Sequence, residues 1–218
     1  MQDVLTIAGR DHGLVPLDLL ASLAVVSLIP LLIVMCTSFV RIVVVLSLVR
    51  SAIGASAVPP NALLIGLALV LTLVVMGPTI QRVRSEAIQP YASGRATPAQ
   101  TLDRAIVPLR AFMLRQTRPE DIALFERAAH RRMQPAQTAP IEIVVPAYAV
   151  GELRSAFAIG FALYLPFVAI DLAVAGILMG LGMMMLSPPV VSLPVKLLLF
   201  VLVDGWALVC GGVVASFR

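Results

Sequence analysis

Leu19 to Val49 is an apolar run of thirty-one residues, and its length constrains the fold more than any other feature of the chain. A straight helix of that length would extend about 46 Å, well past a hydrocarbon core of about 30 Å. The run must tilt, bend at Pro30 or project beyond a bilayer. Three more runs follow, Ala62 to Ile80, Ala156 to Leu186 and Val190 to Ala215. Together they exclude an ordinary soluble domain. Of 218 residues, 60% are hydrophobic and 13% charged, against about 45–50% and 25% in soluble chains.

Prolines divide the runs into pairs. Run one carries Pro30 and is followed by the turn Val58-Pro59-Pro60-Asn61; run three carries Pro166 and is followed by Pro188-Pro189. A double proline stops a helix from continuing. Each pair of runs therefore reads as a hairpin of one plan: a long proline-interrupted helix, a double-proline tip and a second helix. The sequence predicts an all-α, integral membrane-type protein. Its two long helical hairpins cover 19–80 and 156–218, with a small helical polar region, 81–155, between them and an N-terminal segment, 1–18, in front. That segment lacks a basic leader followed by a short apolar core, so no cleavable signal peptide is expected in it.

The polar region holds eleven of the sixteen Lys and Arg residues and seven of the twelve Asp and Glu residues. Mixed charge without interleaved aromatics reads as a solvated region, and no nucleic-acid partner is expected. Gln81 to Ile88 continues the preceding helix; Pro90, Gly94 and Pro98 mark a loop; Thr97-Pro98-Ala99-Gln100 has the pattern of a helix start. A short helix over Ala111 to Arg118 stops at Pro119, and Pro119 with Glu120 and Asp121 opens another. Ile141 to Val145 is strand-like by composition, but Pro146 follows it and it has no convincing partner strand.

Arg41, Asp171, Lys196 and Asp204 stand inside apolar runs. A charge at mid-bilayer costs at least about 2.5–3.5 kcal/mol, so such groups pair, line a polar path, or face water because the segment does not sit in lipid. Asp171 and Lys196 lie at unequal distances from the Pro188 turn. Pairing within one hairpin would need stagger or a kink, and pairing between copies escapes that restriction. Cys36 and Cys210 sit in apolar runs as packing residues, His12 and His130 are solitary, and Asp204 has no second carboxylate set to share a proton. The sequence argues for no enzyme, cofactor or metal.

Met179 to Pro189 ends run three with three consecutive methionines, Met183, Met184 and Met185, behind glycines that loosen the backbone and ahead of prolines that forbid a helix. Methionine is flexible and polarizable, so the tip reads either as a soft plug or as an apolar turn that only packs.

Six segments then stand in a recognisable order: Thr37 to Leu46, Pro59-Pro60-Asn61, Leu109 to Arg118, Gly151 to Phe157, Gly182 to Met185, and Phe200 to Trp206. Together, over about residues 19–216, they resemble the FliP/SctR family, the main export-gate subunit of flagellar and virulence type III secretion systems. Gln116-Thr117-Arg118 and the long connection before it are closer to the flagellar branch. The resemblance implies a homo-oligomer of about five copies, joined by two smaller export-gate membrane subunits in the bacterial inner membrane at the flagellar basal body. It implies a channel for unfolded export substrates, with Met183, Met184 and Met185 as a gasket and the transmembrane hairpins largely lifted from the bilayer plane. It also implies charge contacts between copies, Arg118 with Glu152 and Asp171 with Lys196. Pro119 departs from the acid the family commonly carries after the arginine. The positive-inside rule would put the arginine-rich middle in the cytoplasm, whereas the family places it outside; the rule weakens for regions beyond about 60 residues, so the extracytoplasmic placement is preferred. The remaining readings are an ion-coupled secondary transporter or channel subunit, which also uses broken helices and intramembrane charge, and the virulence counterpart of the gate.

Overall fold

The structure is a computed structural model that describes residues 27, 34–55, 58–130, 138–183 and 185–217. The chain divides into two compact units, Met1–Val34 and Met35–Arg218. In the first, only Ser27 and Val34 are described, both helical; the expected N-terminal segment and the bend at Pro30 lie outside the described residues.

Among the described residues of the second unit the regular structure is helical throughout, as the sequence predicts. Helix α1 is Phe39–Ile53 and α2 is Asn61–Val83. Helix α2 passes without a break through a π-helical turn, Arg84–Ile88, into the short α3, Gln89–Ala92. Pro90 has no N–H to close on Glu86 four residues back, and the ladder widens here, with the Gln89 N–H donating to the Arg84 carbonyl. The expected continuation of this helix is thus present, and Pro90 belongs to it rather than to the loop.

Helix α4, Pro98–Gln116, starts on a capping box. Thr97 Oγ1 accepts from the Gln100 N–H at 3.3 Å and Gln100 Oε1 from the Thr97 N–H at 3.1 Å. The helix expected over Ala111 to Arg118 is the last part of this longer one. Helix α5, Pro119–Ala128, opens with Pro119, Glu120 and Asp121 in its first turn, where proline and acids are both favoured.

Helix α6, Ile141–Gly180, runs 40 residues, about 60 Å, and is the axis of the unit. It begins at the segment that reads as a strand and continues through both Pro146 and Pro166. Helices α7, Pro188–Leu202, and α8, Gly205–Ala215, share run four but are bent by 65° at the two residues between them. The expected single second limb is therefore two helices. The 32-residue stretch Asn61–Ala92, helix α6 and the bent α7–α8 pair are long and apolar enough to cross a membrane.

Helix α1 is the hub of the apolar core. Its buried Ile42, Val45, Leu46, Val49, Ala52 and Ile53 follow three- and four-residue spacings and meet residues of α2, α6, α7 and α8. A second cluster joins Met76 of α2, Phe112 and Met113 of α4 and Ile122 of α5 to Ile143, Val144, Ala147 and Tyr148. The first turns of α6 therefore belong to the polar region and its remainder to the second hairpin.

Candidate functional site: buried ion pairs and a methionine tip

The stripe that seats α6 on α1 also carries its charge inward. Val144, Tyr148, Glu152, Ala156 and Gly160 are buried and spaced four apart, so they share one face. Arg41 lies on the buried face of α1. The two meet as a fork: Nε to Oε2 at 3.0 Å and Nη2 to Oε1 at 2.5 Å, with the Glu152 side chain 0% exposed. The remaining guanidinium contacts are Nη1 to the Ser216 carbonyl at 3.0 Å and to Ser216 Oγ at 3.1 Å, and Nη2 to Gln116 Oε1 at 3.4 Å. The Phe217 ring lies 3.9 Å from the guanidinium carbon. Nearby, Tyr148 Oη donates to the Thr37 carbonyl at 2.9 Å, across the break just before α1. One cation thus binds α1, α4, α6 and the segment after α8 into one neutral cluster.

The sequence singles out Arg41 but not its partner. The resemblance sets Glu152 against Arg118 of another copy; within the chain, Arg118 is exposed at the start of α5 and both Glu152 oxygens are taken by Arg41. The signal that finds Glu152 is its place four residues from Tyr148 and from Ala156, on the buried stripe. A second fork escapes the sequence reading. Arg154 Nη1 and Nη2 reach the two Asp121 oxygens at 2.8 and 2.6 Å, fastening α5 to α6.

Asp171 and Lys196 pair inside one chain, Nζ to Oδ2 at 2.5 Å, so of the two settings left open, within a hairpin or between copies, the single chain already supplies the first. The expectation of unequal depths carried the helix on to the proline tip. The helix stops at Gly180 and the next starts at Pro188, so Asp171 lies nine residues from its helix end (180 − 171) and Lys196 eight (196 − 188). At 1.5 Å per residue the two depths differ by only about 1.5 Å. Ser192 Oγ adds a 2.5 Å bond to Asp171 Oδ1, and Lys196 Nζ reaches the Ala52 carbonyl at 3.3 Å, tying the pair to α1.

Asp204 is not a buried charge. It is exposed in the corner between α7 and α8, with φ 50° and ψ 53°.

The methionine tip is built by the end of α6. Gly182 has φ +74°, its N–H donates to the Met179 carbonyl at 3.1 Å, and the Met183 N–H donates to the Leu178 carbonyl at 2.9 Å. This paired closure around a left-handed residue is a Schellman motif, which a glycine accepts without a Cβ penalty. Gly182 therefore fixes the turn rather than loosening it. Beyond it the chain projects Met183, 44% exposed, and Met185, fully exposed. Met184 lies outside the described residues. Met179, Leu181 and Leu186 are exposed as well, so the tip is an apolar knob that nothing among the described residues of its own unit covers.

Long apolar helices, charge neutralised inside the chain and an apolar tip define a helical membrane-type protein. The sequence profile of the FliP family matches residues 22–213. A flagellar biosynthetic protein FliP of Caulobacter vibrioides is 48% identical over 214 residues, 96% of this chain and 80% of that protein. Those of Pectobacterium carotovorum and Bacillus subtilis are 46% and 43% identical, over 96% and 91% of this chain and 81% and 90% of their own length. The chain belongs to the FliP family.

Proposed function

We propose that the chain is a core subunit of a flagellar-type protein export gate, in which several copies surround a path for unfolded substrates and the Met183–Met185 segment seals it. The observation that carries this reading is the bare tip: Met183 and Met185 are exposed at the end of a rigid 40-residue helix, beyond a glycine closure that holds them away from the core. Thioether side chains fill irregular space and re-pack around different partners. A ring of them can close on itself or on a passing chain. In this reading the polar region faces out of the cytoplasm, about five copies assemble heterologously with two smaller membrane subunits, and no bond is made or broken. The flagellar names of the relatives favour this branch over its virulence counterpart.

Replacing Met183, Met184 and Met185 with alanine should raise small-ion leakage through membranes containing the assembled gate while substrate export continues. Conductance measured with and without an export substrate tests this, and unchanged conductance together with unchanged export overturns the gasket.

A further inference from the structure

We infer that α8 is a strap, hinged at Asp204 and latched by Arg41 through Ser216 and Phe217, and that the polar region sets whether the latch is closed. The inference does not depend on the export reading, since it concerns contacts within one chain.

The hinge is a strained corner. Asp204 occupies the left-handed region, which disfavours a residue with a Cβ, and no side-chain bond caps the helix it starts. The corner turns by 65° between two apolar helices. Gly205 packs so closely beneath the Phe200 ring that an added Cβ would overlap it, and Trp206 closes edge-on to the same ring at 5.2 Å. Backbone strain persists only where surrounding packing holds it, and here the packing is a single aromatic corner.

The strap rests on the core along one face. Within α8, Gly205, Val209 and Val213 are buried, while Ala207, Leu208, Gly211, Gly212 and Ala215 are exposed. Beneath its hinge end lies an apolar cavity of about 280 Å³, which Gly205, Leu208 and Val209 line from the strap side and Val49, Leu163 and Phe167 from α1 and α6.

The far end is fastened by polar contacts from other elements. Arg41 of α1 donates to both the carbonyl and the hydroxyl of Ser216 and stacks on Phe217. Gln116 at the end of α4 donates to the Phe217 carbonyl at 3.3 Å, and Phe112 of α4 stacks on the Phe217 ring at 6.4 Å. Glu152 holds the guanidinium in place. Two of these groups come from α4, so a shift of the polar region withdraws latch contacts and leaves α8 free to turn about Asp204. A few contacts at an element's end, with a strained corner at the other, make a two-position element rather than a continuously deformable one.

A native cysteine, Cys210, reports on it once Cys36 is replaced. Cys210 is half-buried on α8 and Cys36 is half-buried against the cluster that holds Phe217. In the intact, detergent-solubilised complex, Phe217→Ala and Gln116→Ala in a Cys36→Ser background should raise the maleimide labelling rate of Cys210 about fivefold or more. Asp204→Gly alone, which relaxes the hinge but keeps the latch, should leave that rate near the wild-type value. An unchanged rate in both latch variants, or an Asp204→Gly rate as high as theirs, overturns the proposal. Hydrogen exchange on the unmutated complex tests it without relying on the variants. Residues 205–215 should exchange together and at least about fivefold faster than residues 188–202; equal or slower exchange overturns the strap.

Discussion

Arg41 is 4% exposed and carries a full charge into the core, so its worth lies in how completely it is answered. Removing one member of a buried pair leaves the other uncompensated, at about 3–5 kcal/mol, whereas replacing both with apolar groups is often neutral. Arg41→Met or Glu152→Met should each destabilise the detergent-solubilised protein by about that amount, and the double replacement should recover most of the loss; denaturant titration measures all three. The charge pattern made Arg41 legible as a residue needing a partner. It did not supply the partner, because the sequence placed Glu152 in the polar region and the pair spans 111 positions. Gly182 is a second single-residue determinant. A side chain at its φ of +74° costs about 1–2 kcal/mol, which asparagine bears better than a branched residue. Gly182→Val should misdirect the methionines and lower flagellar motility on soft agar, and Gly182→Asn should retain most of it.

Helix α6 shows what an element gains from its surroundings. By composition Ile141 to Val145 suits a strand, but Ile143 and Val144 are buried against α4 and α5 in a helical cluster, and tertiary packing overrides the weaker local preference. Pro146 and Pro166 each remove one backbone bond without ending the helix, because packing supplies what the ladder lost. The crossing with α1 is set by one absence: a Cβ on Gly160 would overlap the Leu48 side chain. Overpacking of this kind typically costs about 1–3 kcal/mol. Gly160→Val should reduce the yield of folded protein, and Leu48→Ala should partly restore it in the same chain, as size-exclusion profiles of the purified variants would reveal. Both prolines were visible as interruptions; that the helix survives them was not.

At the scale of the whole molecule, three ion pairs with partners 33, 111 and 25 residues apart fasten elements that the chain order separates. Because Asp171 and Lys196 meet within one chain, Asp171→Lys combined with Lys196→Asp in that chain should restore motility lost in either reversal. Two copies each carrying one reversal, expressed together, should not complement one another. Rescue by the mixed copies would move the pair to an interface. The exposed apolar faces of α2, α6 and α7, among them Leu73, Phe161 and Val201, exceed what a water-facing monomer presents, as expected of surfaces covered by lipid or protein.

The amino-acid sequence by itself determined that the chain is helical, that its apolar runs are punctuated by proline pairs, that Arg41 and Lys196 carry charge into the interior, and, through the resemblance of six ordered motifs, its family. All but the family follow from composition, periodicity and local backbone chemistry, each readable within one or two helical turns; the family follows from the resemblance of motifs spread along the chain. Only the tertiary structure decided where α6 begins, that the last apolar run breaks at Asp204, and which acid answers which base. Those outcomes depend on helices meeting at matched depth and on buried charge finding an opposite charge across the fold, and neither distance is written along the chain.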